Sequence, residues 1–321
     1  MSIKARLTSY LAGCIFATSR SPDIKRIFSP VTSAGMASFV FSVIGALVPG
    51  TAFAMENKAS IVDAVQYPWS AIGRVNAGGT AFCTGFLVSE RHVLTAAHCL
   101  YDQREGRWRR ENEMHFVAAY QFDQILVHSP VISFTRSSRA VGSKSQSLRS
   151  AAHDWAVLTL RDPIGQKVGW LGLKILTHSL LERANASTTA LFQAGYSASR
   201  PHAMTLNSQC HVKYRLEKGQ ILGHECLVTE GNSGSPLVFY DDGKFYAAGI
   251  HVARFRKNGR HYAGALSTRT FAVGGSAEAY RTLKKLGVEL GRGRPPQSNG
   301  LISIAPIREI EELVLIENPE H

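Results

Sequence analysis

No stretch of these 321 residues is apolar for long enough to cross a bilayer as a stable helix. The longest uncharged apolar run, Met36 to Val48, holds about 13 residues where a span needs about 20, so no stable membrane anchor is expected. Cysteine is scarce, five in all, and none falls in a CxxC or Cys/His ligand spacing. A structural zinc, or any other metal or cofactor, is therefore not expected. Acidic residues are outnumbered, 24 against 36 basic, for a formal net charge of +12. No nucleic-acid-binding motif accompanies that excess, so nucleic acid is not an expected partner. Internal repeats are absent, and helical periodicity is confined to Ser276–Leu290, where Tyr280, Leu283, Leu286 and Leu290 share one face.

The first 54 residues differ from the rest. Lys4, Arg6, Arg20, Lys25 and Arg26 precede the apolar run, Pro49-Gly50 breaks it, and Ala52-Phe53-Ala54 has the small-x-small pattern of a signal-peptidase site. Residues 1–54 are expected to be a secretory signal, residues 55–290 a single folded domain, and residues 291–321 a linker and tail. The chain is then secreted or periplasmic. Cys14 leaves with the signal; Cys83, Cys99, Cys210 and Cys226 remain, an even number that reads as disulfides in an oxidising compartment. Four cysteines allow three connectivities, and their order does not choose among them. Removing five basic residues and Asp23 lowers the net charge to +8. Much of that excess lies in two loop-like segments, Arg104, Arg107, Arg109, Arg110 and then Arg136, Arg139, Lys144, Arg149. These could meet an anionic surface or simply be solvated.

From Ile61 onward the texture is all-β. Tyr67–Val75, Ala81–Val88, His115–Tyr120, Trp155–Leu160, Ala190–Gln193, Gln209–Tyr214, Pro236–Tyr240 and Lys244–Val252 are short runs rich in β-branched and aromatic residues, separated by turn formers. Asp241-Asp242-Gly243 marks a hairpin. Many short strands with frequent turns predict a barrel or sandwich.

One loop concentrates unusual chemistry. In Gly231-Asn232-Ser233-Gly234-Ser235-Pro236, two glycines and a proline crowd one serine, so the backbone turns sharply and can present the hydroxyl beside its own N–H groups. An acyl-transfer nucleophile needs that arrangement, because backbone donors can stabilise the oxyanion of a tetrahedral intermediate. A serine hydroxyl also needs a base, and a histidine of ordinary pKa can take and return its proton. Upstream, Val93-Leu-Thr-Ala-Ala-His98-Cys99 holds a histidine in a small-residue turn. His153-Asp154-Trp-Ala-Val-Leu158 places an aspartate at the mouth of a strand.

Thr95-Ala-Ala-His98-Cys99, Asp154-Trp-Ala-Val-Leu158 and Gly231-Asn-Ser-Gly-Ser-Pro236, in that order, resemble the trypsin/chymotrypsin family of serine proteases over roughly Ile61 to Leu290. The resemblance implies two six-stranded antiparallel β-barrels with a C-terminal α-helix, and a polypeptide substrate. It also implies Ser233 as nucleophile, His98 as general acid/base and Asp154 as its orienter. The N–H groups of Gly231 and Ser233 would form the oxyanion hole. It further implies the pairings Cys83–Cys99, closing the histidine loop, and Cys210–Cys226.

Departures from animal trypsins are informative. The acid that precedes their serine is here neutral Asn232, so Ile61-Val62, which looks like an activated terminus, lacks an ionic partner. Asn-Ser-Gly-Ser instead resembles the bacterial secreted branch that includes glutamyl endopeptidases. Leu227 falls near the place of the trypsin pocket-floor acid, so cleavage after Lys or Arg is not implied. Gly249-Ile-His251 is similar to the Gly-Ile-His of glutamyl endopeptidases, with Thr229 one place from their threonine and Arg254 three residues on; these four form the expected specificity pocket. Release of Met55–Ser60 as a propeptide stays open. So does a catalytically silent binding protein on the same scaffold, which would typically lose a triad member.

Overall fold

Turn formers at nearly every tenth residue leave little room for long elements, and the computed structural model is accordingly built from short strands. It describes residues 59–297 except 80, 123, 143–146, 187–190 and 209. The expected signal peptide, Lys144 and residues 298–321 lie outside the described residues.

The strands, in chain order, are β1 (Ser60–Ile61), β2 (Ile72–Ala77), β3 (Phe82–Leu87), β4 (His92–Thr95), β5 (Tyr101–Asp102), β6 (Arg107–Trp108), β7 (Met114–Ala118), β8 (Val127–Arg136), β9 (Ala156–Leu160) and β10 (Gly172–Leu173). They continue as β11 (Leu191–Ser197), β12 (Arg200–Asn207), β13 (Val212–Leu216), β14 (Ile221–His224), β15 (Pro236–Asp241), β16 (Lys244–Lys257) and β17 (Arg260–Ser267). Among the described residues four short helices join them: α1 (Leu148–Ala151), α2 (Gly165–Val168), α3 (His178–Ala186) and α4 (Ala277–Lys285).

The first half closes into a six-stranded barrel in the order β2-β3-β4-β9-β8-β7. Alternation along its strands buries Val75, Phe116 and Leu158 on one face and Phe86 and Leu94 on the other. The second half runs β1-β12-β11-β15-β16-β17-β14-β13, with β10 added parallel to β16. Its hydrogen-bonded path is open at both ends among the described residues. Leu191, Leu237, Phe239, Ala248 and Ala265 pack inside it with the buried Cys210 and Cys226. The all-β class with a C-terminal helix is thus observed, the second barrel being curled rather than zipped shut.

Several expectations shift in detail. The run from Tyr67 begins as strand only at Ile72, because Pro68 has no N–H for a ladder and Trp69–Ala71 form a 3-10 turn. The hairpin at Asp242 and Gly243 has positive φ at both residues, 49° and 73°, as a two-residue turn of this kind requires. The helix expected over Ser276–Leu290 is capped by the Ser276 hydroxyl, which accepts from the Ala279 N–H at 3.3 Å, and stops before Gly287 at φ 68°. It buries Ala279 and Leu283. The stretch read as linker is partly pinned: Trp170 and Arg294 exchange backbone hydrogen bonds of 2.8 and 2.9 Å, and Gly291 N–H donates to the Leu173 carbonyl at 2.8 Å. Ile61 is a sheet residue opposite Thr205, and Val62, just past β1, donates to the Met204 carbonyl at 3.2 Å.

Candidate active site

Each sequence-selected group sits where a strand meets a turn. β4 ends at Thr95, and the following 3-10 turn Ala97–Leu100 carries His98. The turn after α1 carries Asp154, fixed from behind by Trp155, which is fully buried edge-on to Phe271 at 5.7 Å between ring centroids. The loop before β15 carries Ser233. His98 and Ser233 are 7% and 8% exposed and Asp154 is 1% exposed.

These residues converge. The His98 ring Nδ1 lies 2.6 Å from Asp154 Oδ2, and the His98 backbone N–H donates to Asp154 Oδ1 at 2.8 Å. One carboxylate therefore holds both the ring and the main chain of the histidine. Nε2, the nitrogen left over, is buried and makes no hydrogen bond among the described residues. His98 and Ser233 share the wall of a cavity of about 550 Å³ with Phe82, Cys83, Cys99 and Gly231.

The serine loop is shaped by an almost complete use of its backbone groups. Thr84, from the first barrel and fully buried, donates its N–H to the Ser233 carbonyl and its hydroxyl to the Gly231 carbonyl, both at 2.9 Å. The same Thr84 hydroxyl accepts from the Tyr196 N–H of the second sheet at 3.0 Å, so one side chain ties both halves to the loop. Gly234 N–H donates to the His251 carbonyl and His251 N–H to the Ser235 carbonyl, each at 2.8 Å, while Ser235 N–H donates to the Asn232 carbonyl at 3.0 Å. Among the described residues, the N–H groups of Gly231 and Ser233 donate to nothing. Gly234 (φ 84°) has no alternative here, since a Cβ would overlap the Thr84 carbonyl and the Thr95 hydroxyl.

Both disulfides join the expected pairs, Cys83–Cys99 and Cys210–Cys226. Cys83, His98 and Cys99 place one donor atom each within 4.8 Å of one another, but both sulfurs are committed to the S–S bond.

On the other side of Ser233 a second cavity, about 170 Å³, is walled by Thr229, Glu230, His251, Val252, Ala253 and Arg254. It therefore collects three of the four residues expected in the specificity pocket. Leu227 does not join them; its side chain is 53% exposed. Burial alternates along the segment: Cys226 and Val228 are buried and Leu227 is exposed. Behind His251, edge-on at 6.1 Å, lies His224, fully buried with neither ring nitrogen hydrogen-bonded among the described residues. Burial pushes its pKa down to about 3.

Sequence reasoning missed Thr84, Gln193, Asn207, Ser235 and His224. Nothing local to them carries a signal; Thr84 lies in Phe82-Cys-Thr-Gly85, where the neighbouring cysteine is the residue with recognisable chemistry. The first basic segment proves largely self-paired. Arg109 Nη1 meets Asp102 at 3.0 Å, Arg107 Nη2 meets Glu113 at 2.7 Å, and the Arg107 guanidinium holds Glu113 down to about 2.

Comparison with known proteins agrees with this architecture. The glutamyl endopeptidase of Bacillus licheniformis is 22% identical over 129 residues, which span 39% of this chain and 37% of that relative's length. A solved Glu endopeptidase structure, in complex with MPD, superposes with a TM-score of 0.56 at 16% identity, over 73% of this chain and 99% of that one. The Trypsin family model matches residues 60–272, about two thirds of the chain, and the chain belongs to the trypsin family.

Proposed function

We propose that the protein is an exported serine endopeptidase that cleaves polypeptides through an acyl-enzyme, with Ser233, His98 and Asp154 as its triad. The observation that carries this reading is the 2.6 Å contact between His98 Nδ1 and Asp154 Oδ2, with His98 and Ser233 lining one cavity. Nε2 takes the proton of Ser233 Oγ as the oxygen attacks the scissile carbonyl carbon. Asp154 accepts the Nδ1–H, which fixes the tautomer and stabilises the imidazolium. The oxyanion of the tetrahedral intermediate lies against the otherwise unused N–H groups of Gly231 and Ser233. Collapse breaks the C–N bond, and His98 returns its proton to the departing amine. A water then enters and the same sequence releases the acid.

The finer reading is a preference for an acidic residue on the acyl side of the cleaved bond. His251, Thr229 and Arg254 on one small cavity wall are the groups that could meet its carboxylate, since a buried carboxylate without donors is costly. The name of the curated relative points the same way. Export is supported by the two disulfides, which persist in oxidising compartments.

The direct test is to treat the purified exported protein with a phosphonofluoridate and locate the adduct by peptide mass mapping. A single adduct on Ser233 is expected. No adduct would leave a silent binding protein on a protease scaffold.

A further inference from the structure

Ser233 is bracketed by two buried polar side chains, Asn232 before it and Ser235 two residues after it, 3% and 0% exposed. Both are held by one amide. Gln193 Nε2 donates to Ser235 Oγ at 2.7 Å and to Asn232 Oδ1 at 3.2 Å, which uses both of its hydrogens. The Gln193 carbonyl oxygen is occupied in turn, accepting from Asn207 Nδ2 at 2.6 Å. Gln193 is fully buried on β11, between β12 and β15, so its own position is set by ladders on both sides. Gly195, two residues along the same strand, clears the space: a Cβ there would stand 2.9 Å from Ser235 Cβ and 3.0 Å from Asn232 Oδ1.

We infer that Gln193 is a positioning residue for the proposed reaction, an uncharged clasp that sets Ser233 Oγ and the N–H groups of Gly231 and Ser233 in place for attack. The inference rests on the peptidase reading. The clasp acts on both flanks of the nucleophile at once, and a fully satisfied buried network specifies a single arrangement. It also avoids the desolvation cost that a buried ion pair would bring to the same place. Thr84 grips the loop's carbonyls from the first barrel, and Gln193 grips its side chains from the second.

The test uses phosphonylation kinetics, which need the nucleophile and the oxyanion donors but no knowledge of the natural substrate. In wild type, Gln193→Leu, Ser235→Ala and the double variant, the limiting rate and the half-saturating phosphonofluoridate concentration are measured separately. Gln193→Leu is expected to lower the limiting rate roughly 10- to 100-fold, the scale of a misplacement approaching 1 Å. Half-saturation should stay within roughly threefold of wild type, because ground-state contacts are untouched. The double variant should lose no more than roughly twofold beyond Gln193→Leu alone, since both changes break one network. If Gln193→Leu does not fold, Ser235→Ala, which removes one receiver of the clasp, must still slow the limiting rate several-fold. A folded Gln193→Leu with a wild-type limiting rate, a loss confined to half-saturation, or losses that multiply in the double variant would each overturn the inference alone. Absence of labelling in the wild type overturns the peptidase reading, and the inference falls with it.

Discussion

His224 makes the chain's response to mild acid calculable. Its ring is fully buried, beside His251, with no hydrogen-bond partner for either nitrogen among the described residues, and burial pushes its pKa to about 3. An unfolded chain restores the ordinary value near 6.5. Between those limits the unfolded state binds a proton that the folded state refuses, so stability rises with pH across the window. The contribution is fully present above about pH 6.5 and is lost as pH falls toward 3. At 1.36 kcal/mol per pKa unit, moving from pH 7 to pH 5 costs about 2 kcal/mol through this one side chain. His224→Leu fills a similar volume without a titrating group and leaves no orphaned ring nitrogen. Urea unfolding followed by tryptophan fluorescence, at pH 7, 6 and 5, is to be run on the variant and its parent, both carrying Ser233→Ala to prevent autolysis. The pH slopes of His92, His115 and His153, whose pKa values are also lowered by burial, are common to both proteins and cancel in the difference. The parent should lose about 2 kcal/mol more than the variant between pH 7 and pH 5. A difference that stays constant across the three pH values would refute a proton-refusing His224.

Other expected outcomes follow from the site. Ser233→Ala and His98→Ala should each remove peptidase activity by several orders of magnitude in a peptide-hydrolysis assay, with the fold retained, because triad members act as a unit; wild-type turnover in either would remove the assignment. Gly234→Ala should abolish labelling of Ser233 and lower the unfolding midpoint, since its Cβ has no room between Thr84 and Thr95 and φ is positive. Replacing both Cys210 and Cys226 by serine should cost about 3 kcal/mol in urea, the chain-entropy value for a loop of this length; an unchanged midpoint would count against that account. A peptide-library profile should show acidic enrichment on the acyl side of the cut that His251→Val erases without stopping cleavage after small apolar residues, and a profile with no acidic enrichment would end that reading.

Residue identities determined much of this protein on their own. Strand texture, the His98, Asp154 and Ser233 motifs and the even cysteine count were all legible, because each depends on local patterning or on chemistry that few residue types perform. The C-terminal helix was legible from its period, although Gly287 ended it sooner than the pattern alone implied. Long strands such as β8 and β16 were less so: β16 runs on past Val252 through the exposed Arg254 and Arg256, and β8 carries exposed His128, Ser133 and Thr135, polar residues that loops also use. Leu227, placed in the pocket by the family resemblance, is exposed and outside the small cavity, because a resemblance gives position along the chain whereas orientation depends on which neighbours the core takes.

What only the tertiary structure decided is how the nucleophile loop is held. Gln193 lies 39 residues before Asn232 and Thr84 lies 147 before Gly231, distances over which no sequence pattern carries information. The register of β11 against β15, Gln193 opposite Leu237, brings that amide under the serine. The packing of β3 against the second sheet brings Thr84 over it. A buried hydrogen bond depends on placement within tenths of an ångström, and that placement is set by ladders and core packing rather than by the residues flanking Ser233.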